Sequence, residues 1–288
     1  MVRTSEKEES ETTEKETSET PSGPQVGTRF SAEEIHENVS KAAEEELKRP
    51  ASELVWSALA SGLLIGFSFL ASSFVASLVP ESLQPAANAL GYPLGFLYVV
   101  HGRHQLFTEN TLEPVIPLLE KRNAETLWQL LRLWGIVLPL NLLGALAFAL
   151  VVGHTEVMEP KVQESMLALA RHATSGGALV VFYKGIWAGW LVAMMAWLIG
   201  ATRDTTAQIV LVWLATSPIA AFGFKHSIAG AVEAFYRAGI GDASWWSMIG
   251  SFEIPAIVGN VVGGVVLVAL VNHGQVSRST RGSGEEDR

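Results

Sequence analysis

The 288-residue chain is 49% hydrophobic and only 17% charged, with a positive mean hydropathy, which excludes an ordinary soluble domain and reads as one integral membrane domain with tails. Residues 1–50 carry 13 Asp/Glu against 7 Lys/Arg and so supply −6 of the net charge of −9. The membrane part is therefore close to neutral, nothing is basic enough for nucleic acid, and the absence of cysteine excludes a disulfide framework, a thiolate metal site and a thiol nucleophile.

The first segment, up to about Pro24, is rich in Glu, Thr and Ser and lacks the apolar core of a signal peptide, so the first membrane span is expected to act as the targeting signal. Residues 1–28 are poor in aromatic and aliphatic side chains and are expected to be disordered. From Ser31 the run Ser-Ala-Glu-Glu fits a capping box, opening a charged helix through about Lys48 that lies along the membrane surface. This divides the chain into an acidic N-terminal tail (1–50), a channel domain (51–275) and a short C-terminal tail (276–288).

Spans are expected at about Leu54–Val79, at Leu83–Val100 with a continuation near Thr111–Leu119, at Leu127–Val152, at Leu179–Ile199, at Gln208–Phe235 in two pieces, and at Ile254–Val271. Six crossings is the simplest count. Lys41, Lys48, Arg49, Lys121, Arg122, Arg203, Arg278 and Arg281 fall on one side, and only Lys161, Arg171 and Arg237 on the other. The positive-inside rule then places both termini in the cytoplasm.

Gly62-x-x-x-Gly66 in the first span answers Gly185-x-x-x-Gly189 in the fourth, and Asn141-Leu-Leu-Gly144 in the third answers Asn260-Val-Val-Gly263 in the sixth. The offsets, 123 and 119, nearly agree. Repeats of three spans enter the membrane in opposite senses, the inverted design of many transporters, although each glycine pair alone is also what close helix packing requires. The second and fifth spans, which occupy equivalent places, are both interrupted. Gly91, Pro93, Gly95 and Gly102 lead to Arg103-His104-Gln105 and then Leu106-Phe107-Thr108-Glu109-Asn110-Thr111, while Pro218 and Gly223 lead to Lys225-His226-Ser227. Unwound backbone at membrane depth is tolerated only where protein or water satisfies it, so these breaks mark a substrate path.

His226 is the first candidate, able to offer a proton or a hydrogen bond to a passing anion, or to make a structural hydrogen bond. Lys225 either concentrates anions, snorkels to an interface or pairs with Glu233. Arg103 and His104 are similarly ambiguous, with Glu109 as an internal partner. Thr108, Asn110 and Thr111 either donate to a substrate or cap the half-helix after them. Phe96, Phe107, Phe222 and Phe224 stand near the breaks as apolar constrictions or as packing, and the tryptophans near span ends read as interfacial anchors. No Walker loop, dinucleotide fingerprint, zinc-protease motif or Gly-x-Ser-x-Gly elbow occurs, so neither an ATP-driven pump nor a standard hydrolase is expected, and no cofactor or metal.

These pieces resemble the formate/nitrite transporters over roughly residues 50–275. The resemblance rests on Gly91-Tyr-Pro-Leu-Gly95 with Leu106-Phe-Thr108 and Asn110-Thr111, Asn141-Leu-Leu-Gly144, Gly185-Ile-x-x-x-Trp-Leu-Val192, Gly223-Phe-x-His226-Ser-Ile-Ala229, and Gly259-Asn-x-x-Gly-Gly264. It implies an all-α, aquaporin-like fold of six transmembrane helices in an inverted 3+3 repeat with two broken helices, assembled as a homopentamer with a pore in each protomer. It implies no enzyme but a channel or proton-linked carrier of the inner membrane for small monovalent anions. His226 would face mid-pore between apolar constrictions, with Leu106, Phe107 and Thr108 in the loop breaking the second span. The sequence departs from the family pattern at Gly189 and Gly230, where asparagine is usual, at Lys225 in place of an acid, and at Arg103 and Gln105. These departures keep two other readings open: a pore for small neutral solutes, and a non-conducting membrane scaffold.

Overall fold

The computed structural model of the chain describes residues 30–271 and 274, and among these every regular element is helical. The expected disordered stretch 1–28 and the C-terminal tail lie outside the described residues. Helix α1 (Ala32–Lys48) begins with the expected capping box: Ser31 Oγ accepts from the Glu34 N–H at 3.2 Å and Glu34 Oε2 accepts from the Ser31 N–H at 2.6 Å, an arrangement that stabilises a helix end by about 1 kcal/mol. His36, Val39, Ala43 and Leu47, spaced three or four apart, form its buried face. That face packs on protein, against α6 (Val115–Lys121), α7 (Ala124–His154) and α9 (Ala178–Ile199).

Among the described residues four stretches are long and apolar enough to cross a membrane: Ala51–Ser77, Ala124–His154, Ala178–Ile199 and Trp245–Leu270. The first comprises α2 (Ala51–Leu64) and α3 (Gly66–Ser77) in line. The last holds α12 (Trp245–Ser247) and α13 (Ile254–Gly264), with π-helical turns at Met248–Glu253 and Val265–Leu270. The two remaining expected spans are divided. One consists of α4 (Gln84–Gly91) and α5 (Pro93–His101), then a non-helical segment and α6; the other consists of α10 (Thr205–Ala221) and α11 (Ser227–Gly239). Asn123 caps α7 by accepting from the Thr126 N–H at 2.8 Å, and Asp204 caps α10 by accepting from the Ala207 N–H at 2.7 Å.

One element was not anticipated. Helix α8 (Pro160–Ala173) lies where no span was expected, starting on a proline suited to the first helical position. Its Val162, Met166 and Ala170, four apart, are buried, and it packs against α3 and α11.

The two halves are built alike, with α2 packed along α7 and α9 along α13. Glycine permits both approaches: a side chain at Gly62 would overlap the Asn141 carbonyl, and one at Gly189 would overlap the Asn260 carbonyl. This fixes the register of the internal repeat. Gly62 answers Gly189, not Gly185, so the sequence alignment is displaced by one helical turn, and the partner of Gly185 is Ala58. A pattern recurring every four residues survives such a slip, which is why spacing alone did not resolve it.

Charged groups gather at the two ends of the bundle. At one end Lys121 pairs with Glu44 at 2.5 Å and Asn38 donates to the Gly200 carbonyl, joining α1 to the ends of α6 and α9. At the other, Asp242 accepts from Arg171 and from Arg237 Nε (2.7 Å), and Arg237 also donates to Thr174 Oγ1. The guanidinium hydrogen bonds hold the Asp242 carboxyl at about 2, below its usual range.

Candidate functional site

The break after α10 follows from its sequence. Pro218 removes one ladder hydrogen bond inside the last turn, and Gly223 takes a left-handed backbone (φ 64°) that other residues rarely adopt. The chain then passes through Phe224 and Lys225 outside any regular element and restarts as α11, with His226, in extended backbone, as the N-cap. His226 Nδ1 accepts from the backbone N–H groups of Ile228 (3.2 Å) and Ala229 (3.1 Å). Two donors aimed at Nδ1 make it the acceptor, so the ring hydrogen sits on Nε2.

Two buried asparagines hold the breaks open. Asn260 of α13 accepts from the Ser227 N–H (2.8 Å) and donates to the carbonyls of Lys225 (2.8 Å) and Gly185 (2.9 Å). Asn141 of α7 accepts from the Phe107 N–H (2.9 Å) and donates to the carbonyls of Gln105 (2.9 Å) and Ala58 (2.8 Å). Each side chain thus satisfies a carbonyl and the N–H two residues later in a non-helical loop, which would otherwise be buried without partners. Sequence reasoning found these asparagines only as repeat markers. A polar residue in the middle of each of two apolar spans was the available signal for this role.

The loops meet at one point. His226 Nε2 donates to Thr108 Oγ1 at 2.9 Å, and the His226 ring stands edge-to-face on Phe96 with centroids 5.0 Å apart. Thr108, Phe96 and Leu106 are fully buried and His226 is 2% exposed. Among the described residues the Thr108 hydroxyl hydrogen has no acceptor, so it remains available to a ligand.

A cavity flanks this closed segment on either side. Towards α8 is a small one of about 30 Å³, room for one water, lined by Tyr92, His172, Lys225, His226, Glu233 and Phe252 among others. It adjoins a wider cavity of about 300 Å³, with Asn88, His172 and Ala220 common to both. Towards α1 is a cavity of about 240 Å³ lined by Glu46, Arg103, His104, Gln105, Glu109 and Glu113. Gln105 Nε2 donates to Glu46 Oε2 at 2.6 Å and Gln105 Oε1 accepts from Asn110 at 3.0 Å, so α1 is tied to the loop that carries Thr108. Burial pushes the Glu46 carboxyl up, partly offset by Arg49. Phe96, Leu106, Phe107 and Thr108 line neither cavity.

The structure gathers some of the expected site residues and separates others. His226, Thr108, Phe96 and Leu106 come together. Phe107 turns to α7, edge-to-face on Trp134 at 5.6 Å, and Trp134 Nε1 in turn donates to the Asn110 carbonyl. Asn110 is internal to the loop network. Phe222 is 67% exposed, rests on Phe224 and lines none of the three cavities. Arg103, in a left-handed conformation, is exposed at the mouth of the α1-side cavity and makes no ion pair with Glu109. Lys225 is 3% exposed, and its ammonium donates to the carbonyls of His172 and Ala173 at the C-terminus of α8. That helix end is where a cation is best placed, so the residue neither snorkels nor forms an ion pair with Glu233.

Two departures from the family pattern have local explanations. The Gly189 position is filled by the Asn260 backbone, and a Cβ at Gly230 would stand 2.5 Å from Phe252 Cζ. The Phe252 ring occupies that space and so forms part of the cavity wall beside His226, a role that sequence reasoning missed.

The profile of the family described as "Formate/nitrite transporter" matches residues 33–274. The chain is 35% identical over 245 residues to the inner membrane protein YfdC of Escherichia coli (strain K12), covering 84% of this chain and 78% of that one. Among solved structures it resembles a pentameric formate channel with formate bound, with a TM-score of 0.67 and 23% identity over 76% of this chain and 95% of that one. It also resembles an FNT family ion channel, with a TM-score of 0.70 and 22% identity over 83% and 96%.

Proposed function

Because the chain belongs to the formate/nitrite transporter family, as its matched profile and its 35% identity to a curated relative establish, we propose that it is a channel or proton-linked carrier for a small monovalent anion. In this reading it assembles as a homopentamer with one path per protomer. Each divided element counts as one crossing, α4–α5 with α6 and α10 with α11, which brings the total to six in two inverted halves. The α1 end, which gathers Lys41, Lys48, Arg49, Lys121 and Arg122, is the cytoplasmic face of the cell membrane.

One observation carries the reading: a residue from each helix break, His226 and Thr108, meets the other inside a closed segment flanked by two cavities. Moving a bare anion through apolar surroundings is expensive, and hydrogen-bond donors at the narrowest point lower that cost. The Thr108 hydroxyl supplies one, polarised by the His226 Nε2–H that its oxygen accepts, and the Lys225 ammonium raises the local anion concentration on the α8 side. The test is formate and nitrite uptake into proteoliposomes by wild type, His226→Ala and Thr108→Val. The expected result is wild-type uptake well above empty liposomes, with both variants lower by about tenfold or more, the worth of one lost hydrogen bond in a desolvated site. Unchanged uptake in His226→Ala removes the residue from the path. Wild-type protein that passes no anion turns the reading towards a scaffold, and one that passes uncharged solutes equally well turns it towards a neutral pore.

A further inference from the structure

The small cavity beside His226 holds a carboxyl group that the path as described does not use. Glu233 lies seven residues after His226 on α11, two helical turns along the same face, with Gly230 between them. All three line the cavity. Glu233 is 7% exposed, and among the described residues it makes no hydrogen bond and no ion pair within 4.0 Å. A buried carboxyl without a hydrogen bond is uncommon, and such groups at membrane depth mark proton and substrate paths; the Lys225 ammonium acts on it only through its charge.

The groups around it define its options. Tyr92 faces it from the α4–α5 junction, His172 from α8, and Lys225 and His226 from the break. Lys184 of α9 and Glu253 of the last helix do not line the cavity. Helix α3 carries no titratable residue, and His154 of α7 lies at the far end of α11, near Gly239. Lys225 is held by the α8 carbonyls, and His226 has its Nδ1 lone pair occupied by two backbone donors and its Nε2 hydrogen on Thr108. Tyr92 and His172 also make no side-chain hydrogen bond among the described residues, but His172 is exposed and a phenol is a far weaker acid than a carboxylic acid. Of the groups lining this cavity, Glu233 is therefore the buried acid suited to proton exchange.

We propose that Glu233 is the proton-exchanging group of the path, handing its proton to an anion seated against Lys225 before that anion meets the closed segment. This rests on the anion-path reading above. In the step, the Glu233 O–H bond breaks with its electron pair staying on the carboxylate, and a new O–H bond forms on the anion. The carboxylate is left opposite the Lys225 ammonium, where opposite charge favours it. The neutral acid then moves into the segment formed by Phe96, His226 and Thr108. A hydronium ion reaching Glu233 through the adjoining wider cavity gives the carboxylate a new proton, leaving water, and completes the cycle with one proton carried across per anion.

The test follows nitrite uptake and internal acidification together in proteoliposomes of wild type, Glu233→Gln and Glu233→Asp between pH 5 and 7, with assembly of each variant checked by size-exclusion chromatography. Wild-type uptake is expected to rise about tenfold for a one-unit fall in pH, with one proton entering per nitrite, as for a rate-limiting protonation. Glu233→Gln is expected to remain at the neutral-pH rate throughout, with proton movement lost, and Glu233→Asp to restore the pH response. A Glu233→Gln protein that keeps both the pH response and the proton movement overturns this inference while leaving the anion path standing. Wild-type protein that passes no nitrite overturns both. If Glu233→Gln does not assemble, infrared difference spectra of the wild-type protein decide the matter: added nitrite must deplete a protonated-carboxyl band, and an unchanged band overturns the proposal.

Discussion

Replacing Asn260 by alanine probes the device that shapes the site. The side chain is fully buried and makes three hydrogen bonds, one accepted from Ser227 and two donated to Lys225 and Gly185. Polar contacts between membrane helices average about 0.6 kcal/mol each, and a buried group stranded without a partner costs about 1–3 kcal/mol, so three lost bonds amount to about 2–5 kcal/mol. Asn260→Asp is expected to cost more than alanine, because it retains the Ser227 bond but sets a carboxylate against two carbonyl oxygens. Asn141→Ala removes an equivalent set of three bonds to Phe107, Gln105 and Ala58 and is expected to match Asn260→Ala to within about 1 kcal/mol. The assay is reversible unfolding in mixed micelles, followed by the fluorescence of the chain's nine tryptophans. Losses below about 0.5 kcal/mol in both variants, within the range of an inconsequential substitution, would refute the reasoning. A large loss in one beside none in the other would refute the equivalence of the halves.

Three further outcomes follow from particular contacts. Phe252→Ala removes the ring that fills the space at Gly230, and the enlarged cavity is expected to raise lactate uptake relative to formate by about tenfold, the scale on which pocket size discriminates small ligands. Gly230→Asn in the wild-type background forces the Phe252 ring aside and is expected to destabilise by about 1–3 kcal/mol, a loss that adding Phe252→Ala relieves. Asp242 has a depressed carboxyl pKa, so its stabilising contribution is fully present above the ordinary aspartate value and fades as pH falls through about 2. Thermal unfolding between pH 5 and 2 should show this loss in wild type and lack it in Asp242→Asn.

Much of this architecture is legible in the residues, and the exceptions share a cause. The capping box at Ser31, the long spans and the two interruptions depend on local chemistry, and the structure places helix ends and breaks accordingly. The repeat register does not depend on local chemistry. Glycines four apart tolerate a one-turn slip, and only the Asn141 and Asn260 hydrogen bonds, made across the bundle, select Gly62 with Gly189. Helix α8 escaped notice because its apolar face is narrow, yet it decides the fate of Lys225 by presenting its terminal carbonyls to the ammonium. Phe222 and Phe224 are neighbours in sequence at a turn, and which ring faces outward depends on the backbone path around Gly223 rather than on composition. Pairing with Glu233 is one of three roles the sequence leaves open for Lys225; the ammonium is instead held by α8, and Glu233 lines the cavity.

The central claim is that an anion crosses each protomer through the segment where His226 meets Thr108. The most direct measurement is the permeability of wild-type proteoliposomes to formate and nitrite against uncharged solutes of similar size, such as urea. The account predicts anion uptake that exceeds both urea uptake and the leak of empty liposomes by about tenfold or more, as donors placed in a desolvated path require. Equal permeability to urea and formate, unchanged by pH, would contradict it.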